Sequence, residues 1–100
     1  MPAGNGILKG ELKVKGGKLL KCSLDIKDGK IGKIKITGDF FMYPEEKIEE
    51  LEKMLVGNDA NEEKIKSTVD EFFSGVTIFG ASKENFVELV MMTIRSENQE

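Results

Sequence analysis

The chain has no histidine and no tryptophan, and in 100 residues it has one cysteine, one tyrosine and two prolines. Arginine occurs once, at Arg95. Each scarcity excludes a class of chemistry. Without imidazole there is no Cys–His or Ser–His nucleophile and no histidine acid or base. Cys22 alone allows no internal disulfide, and by ligand count it removes a Cys/His zinc site. A single unpaired cysteine suits a reducing compartment. No apolar run nears the roughly 20 residues of a membrane span. Residues 1–6 are short and polar, without the apolar core of a secretory signal. A cytoplasmic protein with no membrane association is therefore expected.

What is present is charge, and it is unevenly placed. Residues 1–38 hold nine lysines against Glu11, Asp25 and Asp28, a balance of +6. Residues 39–100 hold five lysines and Arg95 against fifteen acids, a balance of −9. Two readings stand: one face meets an anionic partner or ligand, or two solvated faces partly neutralise each other. The length predicts a single domain over 7–95, with a flexible start at 1–6 and a frayed end at 96–100. A chain of this size buries roughly two-thirds of the surface its unfolded form exposes, which leaves little for a deep pocket of its own.

The first third alternates. Leu8, Leu12 and Val14, then Leu20, Cys22, Leu24 and Ile26, then Ile34 and Ile36 occupy even positions. Period two predicts strands with one buried face, over about 7–15, 18–27 and 30–37. Gly16-Gly17 and Asp28-Gly29 supply the turns, the second being a strong hairpin signal. The lysines at odd positions, Lys9, Lys13, Lys15, Lys21, Lys27, Lys33 and Lys35, then form a basic wall. Leu19 and Ile31 are its apolar exceptions.

The remainder reads as helices. Pro44 fits a first helical position, with Glu45 and Glu46 beside the positive helix start. Ile48, Leu51 and Leu55 follow at helical spacing. Asp59 is placed to cap a second helix, with Glu62 three residues on; Ile65, Val69, Phe72 and Phe73 form its stripe. The stretch 76–80 reads equally as a short strand or an extended link. Ser82 caps a last helix carrying Phe86, Leu89, Val90 and Ile94, whose arc Val87, Met91 and Met92 widen into a hint of a second burial surface. A sheet followed by helices on one of its faces is an α+β arrangement.

Three local features invite chemistry. Gly16-Gly17-Lys18 lacks the glycine spacing and the following helix of a phosphate loop; a permissive turn is its plain reading. Gly38-Asp39-Phe40-Phe41 places a free-backbone residue and a turn carboxylate before two adjacent aromatics, which point opposite ways at an extended corner. One ring can enter the core while the other anchors a partner. Cys22, in phase with Leu20 and Leu24, reads as a small core residue.

Taken together, Lys15-Gly16-Gly17-Lys18-Leu19-Leu20-Lys21, Asp28-Gly29-Lys30-Ile31, Ile34-Lys35-Ile36-Thr37-Gly38-Asp39-Phe40-Phe41 and Tyr43-Pro44-Glu45-Glu46 resemble the C-terminal accessory domain of lipoate–protein ligases. The resemblance runs from about Leu8 to Ile94 and is strongest from Gly16 to Leu55. It implies a fold similar to the iron–sulfur scaffold (NifU/SufE-like) proteins, though one cysteine cannot ligate a cluster. It also implies a heterodimer. A catalytic subunit would hold ATP, Mg and lipoate, activate lipoate as lipoyl-adenylate, and pass the lipoyl group to a lysine of an acceptor domain. This chain, resembling the separate form of the domain, would be required for activation without a complete active site or bound cofactor of its own. Lys15, Gly16, Gly17, Lys18, Gly38, Asp39, Phe40, Phe41 and Tyr43 are the expected partner-facing or adenylate-proximal residues. The alternative reading is a nucleic-acid-binding sheet that uses the lysine wall. Sheets that read RNA add exposed aromatics for stacking, and the odd strand positions offer none.

Overall fold

The computed structural model describes residues 7–16 and 18–96. The expected flexible start at 1–6, Gly17 in the first turn, and residues 97–100 of the expected frayed tail lie outside the described residues. Strands β1 (Leu8–Lys13), β2 (Leu19–Lys27) and β3 (Lys30–Gly38) form an antiparallel meander in that order. Leu20, Cys22 and Leu24 of β2 and Ile36 of β3 are buried, as alternation on a pleated strand requires. Asp28 and Gly29 both take positive φ, 54° and 77°. This mirror-image turn matches the twist of the strands it joins.

Ile31 corrects the parity argument. It is numbered with the lysine wall, yet it is only 1% exposed. The register explains this: Asp25 faces Lys33, but Ile26 faces Ile31, so Gly32 is an extra residue on β3. A bulge of this kind shifts the alternation by one position, and everything on β3 before Gly32 changes sides. Gly32 is also tightly placed, since a Cβ there would stand 2.5 Å from Asp25 Oδ1.

A second, two-stranded ribbon was not foreseen. Strand β4 (Phe41–Tyr43) pairs antiparallel with β5 (Thr77–Phe79), Met42 opposite Ile78. The ambiguous stretch at 76–80 is therefore a strand, and its partner lies more than thirty residues away in sequence. Helices α1 (Lys47–Leu55), α2 (Glu62–Phe73) and α3 (Lys83–Arg95) complete the α+β domain. Helix α3 lies across β1 and β2, α2 packs on α3, and α1 flanks β3.

Two helix starts differ from expectation. Pro44 does not open α1. Residues 44–46 form a turn whose carbonyls accept from N–H groups three residues on, with Lys47 N donating to Pro44 O at 3.1 Å. Asp59 does not cap α2. Asn61 does so, its Oδ1 accepting from Lys64 N at 2.9 Å. Asp59 is held instead by Lys30, whose Nζ donates to Oδ1 at 2.8 Å. That bond, the larger cause, and the pair's mutual attraction hold the Asp59 carboxyl below its usual range and the Lys30 ammonium above its own. Ser82 caps α3 as expected, and Asn85 answers it: Asn85 N donates to Ser82 Oγ and Ser82 N to Asn85 Oδ1. Ser96, the first residue of the expected frayed end, ends α3, its Oγ donating to Thr93 O at 2.6 Å.

The β3 edge is covered at Ile31 and Ile36. Glu52 of α1 accepts from Ile36 N at 2.8 Å. The loop after α1 adds Gly57 N to Ile31 O at 2.7 Å and Ile31 N to Asn58 O at 3.0 Å. These contacts occupy edge groups that would otherwise template another strand. Inside, Phe40, Phe86, Phe73 and Phe72 form a chain of ring contacts with centroids 5.1–5.5 Å apart. Such pairs add about 0.5–1.5 kcal/mol each beyond their burial. Of the residues that widen the arc of α3, Met91 is buried and Val87 and Met92 are half-buried against the core. The exposed large apolar side chains, Ile7, Phe41, Tyr43, Val56 and Phe79, lie off this helix. Cys22 sits under α3, where burial pushes its thiol up to about 11, with an opposing hydrogen bond from Thr93. A group so placed is inert near neutrality.

Candidate partner-binding site

The junction between sheet and ribbon is built on Gly38. Its φ is 155°, and a Cβ there would stand 2.7 Å from Leu19 O and 2.9 Å from Leu20 Cα. Only glycine lets β3 pass this close to β2 as it leaves the sheet. Asp39 fastens the exit: its N–H donates to Leu19 O at 3.0 Å, and its Oδ2 accepts from Leu19 N at 3.4 Å. The turn carboxylate thus does the backbone work expected of it.

The two adjacent phenylalanines then divide. Phe40 turns inward and meets Phe86 edge to face at 5.3 Å. Phe41 turns outward and is 73% exposed. Period two continues along β4, so Met42 is buried and Tyr43 is 74% exposed on the same side as Phe41. Directly across the ribbon from Phe41 stands Phe79, 62% exposed. Three aromatic side chains therefore cover the outward face of a ribbon whose inward face carries Met42 and Ile78 into the core. Of the six phenylalanines, four make the internal cluster, and Phe41 and Phe79 are left outside.

Beside this face lies an open cleft of about 480 Å³ lined by Gly16, Lys18, Gly38, Asp39, Phe40 and Phe41. Gly80, directly after Phe79, seats the second strand against it. A Cβ on Gly80, whose φ is 96°, would approach Asp39 O to 3.1 Å and Lys18 Cδ to 3.6 Å. The structure thus brings together Gly16, Lys18, Gly38, Asp39, Phe40 and Phe41, with Tyr43 adjoining on the ribbon. Lys15 is exposed in the first turn but does not line the cleft. Gly17 lies outside the described residues. The sequence reading missed Phe79 and Gly80. Their signal was the alternation from Val76 to Phe79, which could not be separated from a link without its partner strand.

Chemically, this site can bind but offers little for reaction. It presents a lysine, a carboxylate occupied by backbone, and aromatic surface. Among the described residues, no three His, Cys, Asp or Glu side chains gather to hold a metal ion. Exposed aromatics grouped on one face of a ribbon are the composition of a protein-docking surface.

An α+β domain with an exposed aromatic ribbon defines the general class, and comparison with known proteins gives the family. The chain belongs to the family described as the bacterial lipoate protein ligase C-terminus, whose model matches residues 7–90. It is similar to the Thermoplasma acidophilum protein called lipoate-protein ligase A subunit 2, at 40% identity over 71 residues, 70% of this chain and 73% of that protein. It is also similar to a chain in the solved structure of an archaeal lipoylation system, described as a bipartite lipoate protein ligase and its E2 lipoyl domain from Thermoplasma acidophilum. There the TM-score is 0.77 at 35% identity, covering 85% of this chain and 94% of that one.

Proposed function

We propose that this chain is the accessory subunit of a bipartite lipoate–protein ligase and works as a heterodimer with a catalytic subunit. The observation that carries this reading is the match along 94% of a chain from such a system at a TM-score of 0.77. The exposed ribbon supplies the means. Phe41, Phe79 and Tyr43 anchor the catalytic subunit, and Gly16, Lys18, Gly38 and Asp39, with Lys15 nearby, form the rim closest to its nucleotide loops.

In this reading the catalytic subunit holds ATP, Mg and lipoate and forms lipoyl-adenylate. The accessory chain contributes a conformational bias toward the arrangement competent for adenylation. A coupling of about 1–3 kcal/mol, or roughly 5–150-fold, is an ordinary size for such an effect. A cytoplasmic location, where ATP is supplied, suits this reaction. The likeness to the NifU/SufE-like scaffold fold belongs to the same reading and concerns shape alone. Cys22 is the single cysteine and is buried, whereas a cluster needs several thiolates.

The test is lipoate-dependent ATP–pyrophosphate exchange by the catalytic subunit, with and without this chain. Exchange should rise steeply on addition of the chain, and transfer from preformed lipoyl-adenylate should change much less. Equal exchange in both conditions would refute the proposal.

A further inference from the structure

We infer that the outer edge of β1 is self-pairing: it joins β1 of a second copy of this chain, antiparallel about a dyad at Gly10, so that two three-stranded sheets become one. This pairing is independent of the ligase reading and goes beyond it.

The two edges of the sheet are unlike. On β3, Glu52 and the loop after α1 occupy backbone groups of Ile36 and Ile31. On β1, Val14 N donates to Lys18 O at 2.8 Å, and the register runs on with Leu12 opposite Leu20 and Gly10 opposite Cys22. Bonded pairs recur at every second residue of an antiparallel ladder. Leu8, Gly10 and Leu12 therefore turn their backbone groups to β2, and Lys9, Glu11 and Lys13 turn theirs outward. Among the described residues, no hydrogen bond reaches those outward groups. An open row of this kind is a template for one more strand.

The order of residues on β1 identifies the strand that fits. About a dyad at Gly10, Lys9 of each copy faces Glu11 of the other on the outward side, and Leu8 faces Leu12 on the core side. Lys9 forms no ion pair within 4.0 Å among the described residues, and the second copy brings it a carboxylate. Glu11, whose own Lys21 stands at 3.9 Å, then lies between two lysines. The neighbouring registers fail. A dyad at Glu11 sets Glu11 on itself and Lys9 on Lys13, and a dyad at Lys9 sets Lys9 on itself. Like charges directly opposite destabilise a sheet. A dyad at Leu12 matches Glu11 with Lys13 but engages residues 11–13 alone of a strand that spans Leu8–Lys13. The edge charges thus admit one long register and reject those beside it. A foreign strand has no reason to carry this alternation, whereas a second copy carries it by symmetry.

The core side suits the same pairing. Leu8 and Leu12 are only half-buried, and each is covered by the other's counterpart. Helix α3 leaves room for it. Thr93 stands against Gly10 on β1 and shares a hydrogen bond with Cys22 on β2, so α3 straddles the two strands. With strands about 4.8 Å apart, two such helices flank the dyad at about 9–10 Å, the ordinary spacing of packed helices. Gly10 has no side chain to lift α3, since a Cβ there would stand 3.1 Å from Thr93 Cα. Residues 8–13 belong neither to the ribbon nor to the cleft beside it. A second copy on β1 and a catalytic subunit on the ribbon therefore use different residues.

The test is sedimentation equilibrium of the full chain, as wild type, as Lys9→Glu, as Glu11→Lys, and as an equimolar mixture of the two variants. The wild type should be a concentration-dependent dimer. Each variant alone sets like charges across the dyad and should raise Kd about tenfold. The mixture should regain the wild-type affinity, because one copy then carries acids at both positions and the other lysines. Circular dichroism of each variant should match the wild type. In the wild type, amide exchange at Lys9 and Glu11 should slow as concentration rises, while Gly10 and Leu12, already bonded to β2, should not change. A chain that stays monomeric, a dimer indifferent to either reversal, or a mixture no tighter than its components overturns the inference. Adding the catalytic subunit should give a complex with two copies of each chain. A complex with one of each, in which the catalytic subunit itself protects the Lys9 and Glu11 amides, overturns it by assigning this edge to that subunit. None of these outcomes touches ATP–pyrophosphate exchange, by which the ligase reading is judged separately.

Discussion

Lysines cover the outward face of the three-stranded sheet, whereas aromatics cover that of the two-stranded ribbon. Inward, the two are alike: Cys22, Leu24 and Ile36 on one, Met42 and Ile78 on the other, all packed into a single core. Outward, they follow opposite rules. The sheet is long enough to be held by its own ladder and by α3, and its solvent face is free to be solvated. The ribbon has three residues a strand, and a lone two-stranded ribbon is marginal in water. Its outer rings gain at most a cross-strand contact, Phe41 against Phe79, and they forgo most of the 1.5–3 kcal/mol or so that burying a phenylalanine returns. Apolar surface kept exposed at that cost implies contact with another molecule, while lysine surface implies contact with water or with charge.

The largest test of this contrast sets an inner ring against an outer one. Phe86→Ala should destabilise the chain by about 3–5 kcal/mol in urea unfolding, the usual loss for a buried aromatic. Phe79→Ala should cost less than about 1 kcal/mol. Equal losses would break the distinction between structural and docking aromatics. Next comes the pH dependence contributed by Cys22. Its folded pKa is raised from 9.0 to about 11, so the folded state disfavours the thiolate. The contribution is fully present below pH 9 and is lost as pH rises toward 11, by about 3 kcal/mol at most. The stability advantage of wild type over Cys22→Ala should shrink by that amount across this window. A constant advantage would mean the sheet core tolerates the charge.

Third in size is the ribbon as an anchor. Phe41→Ser/Phe79→Ser should weaken the heterodimer by about 2 kcal/mol, roughly 30-fold, as loss of interface anchors does. Circular dichroism should remain that of the wild type. Unchanged affinity by calorimetry would leave the aromatic face unexplained. The smallest effect is at the sheet edge. Glu52→Ala removes a charged acceptor from Ile36 N and should cost about 1.5 kcal/mol. It should speed hydrogen exchange at Ile36 and leave the amides of Met42 and Ile78 unchanged.

Much of the sheet was legible because its signals are local. Alternation places Leu20, Cys22 and Leu24, Asp28-Gly29 makes the hairpin, and Ser82 stops the backbone before α3. What escaped depends on distant partners. Ile31 reads as outward until the bulge at Gly32 is known, because parity counting assumes an unbroken ladder. Asp59 reads as a cap until Lys30 claims it across the fold. Residues 41–43 and 77–79 alternate over too few positions to be told from links, and they become strands only by finding each other. The candidate site inherited that limit: Gly38, Asp39 and Phe41 stand out in a contiguous motif, while Phe79 enters only through pairing.

Phe41 and Phe79 are neighbours in space although two helices and their loops separate them along the chain. The patch they form does not exist in a chain that has failed to close that loop. A partner that recognises it will therefore draw only completed molecules from a mixed population, and by mass action will hold them complete. Assembly would then act as an inspection step, in which a half-formed copy is passed over because it has nothing to show.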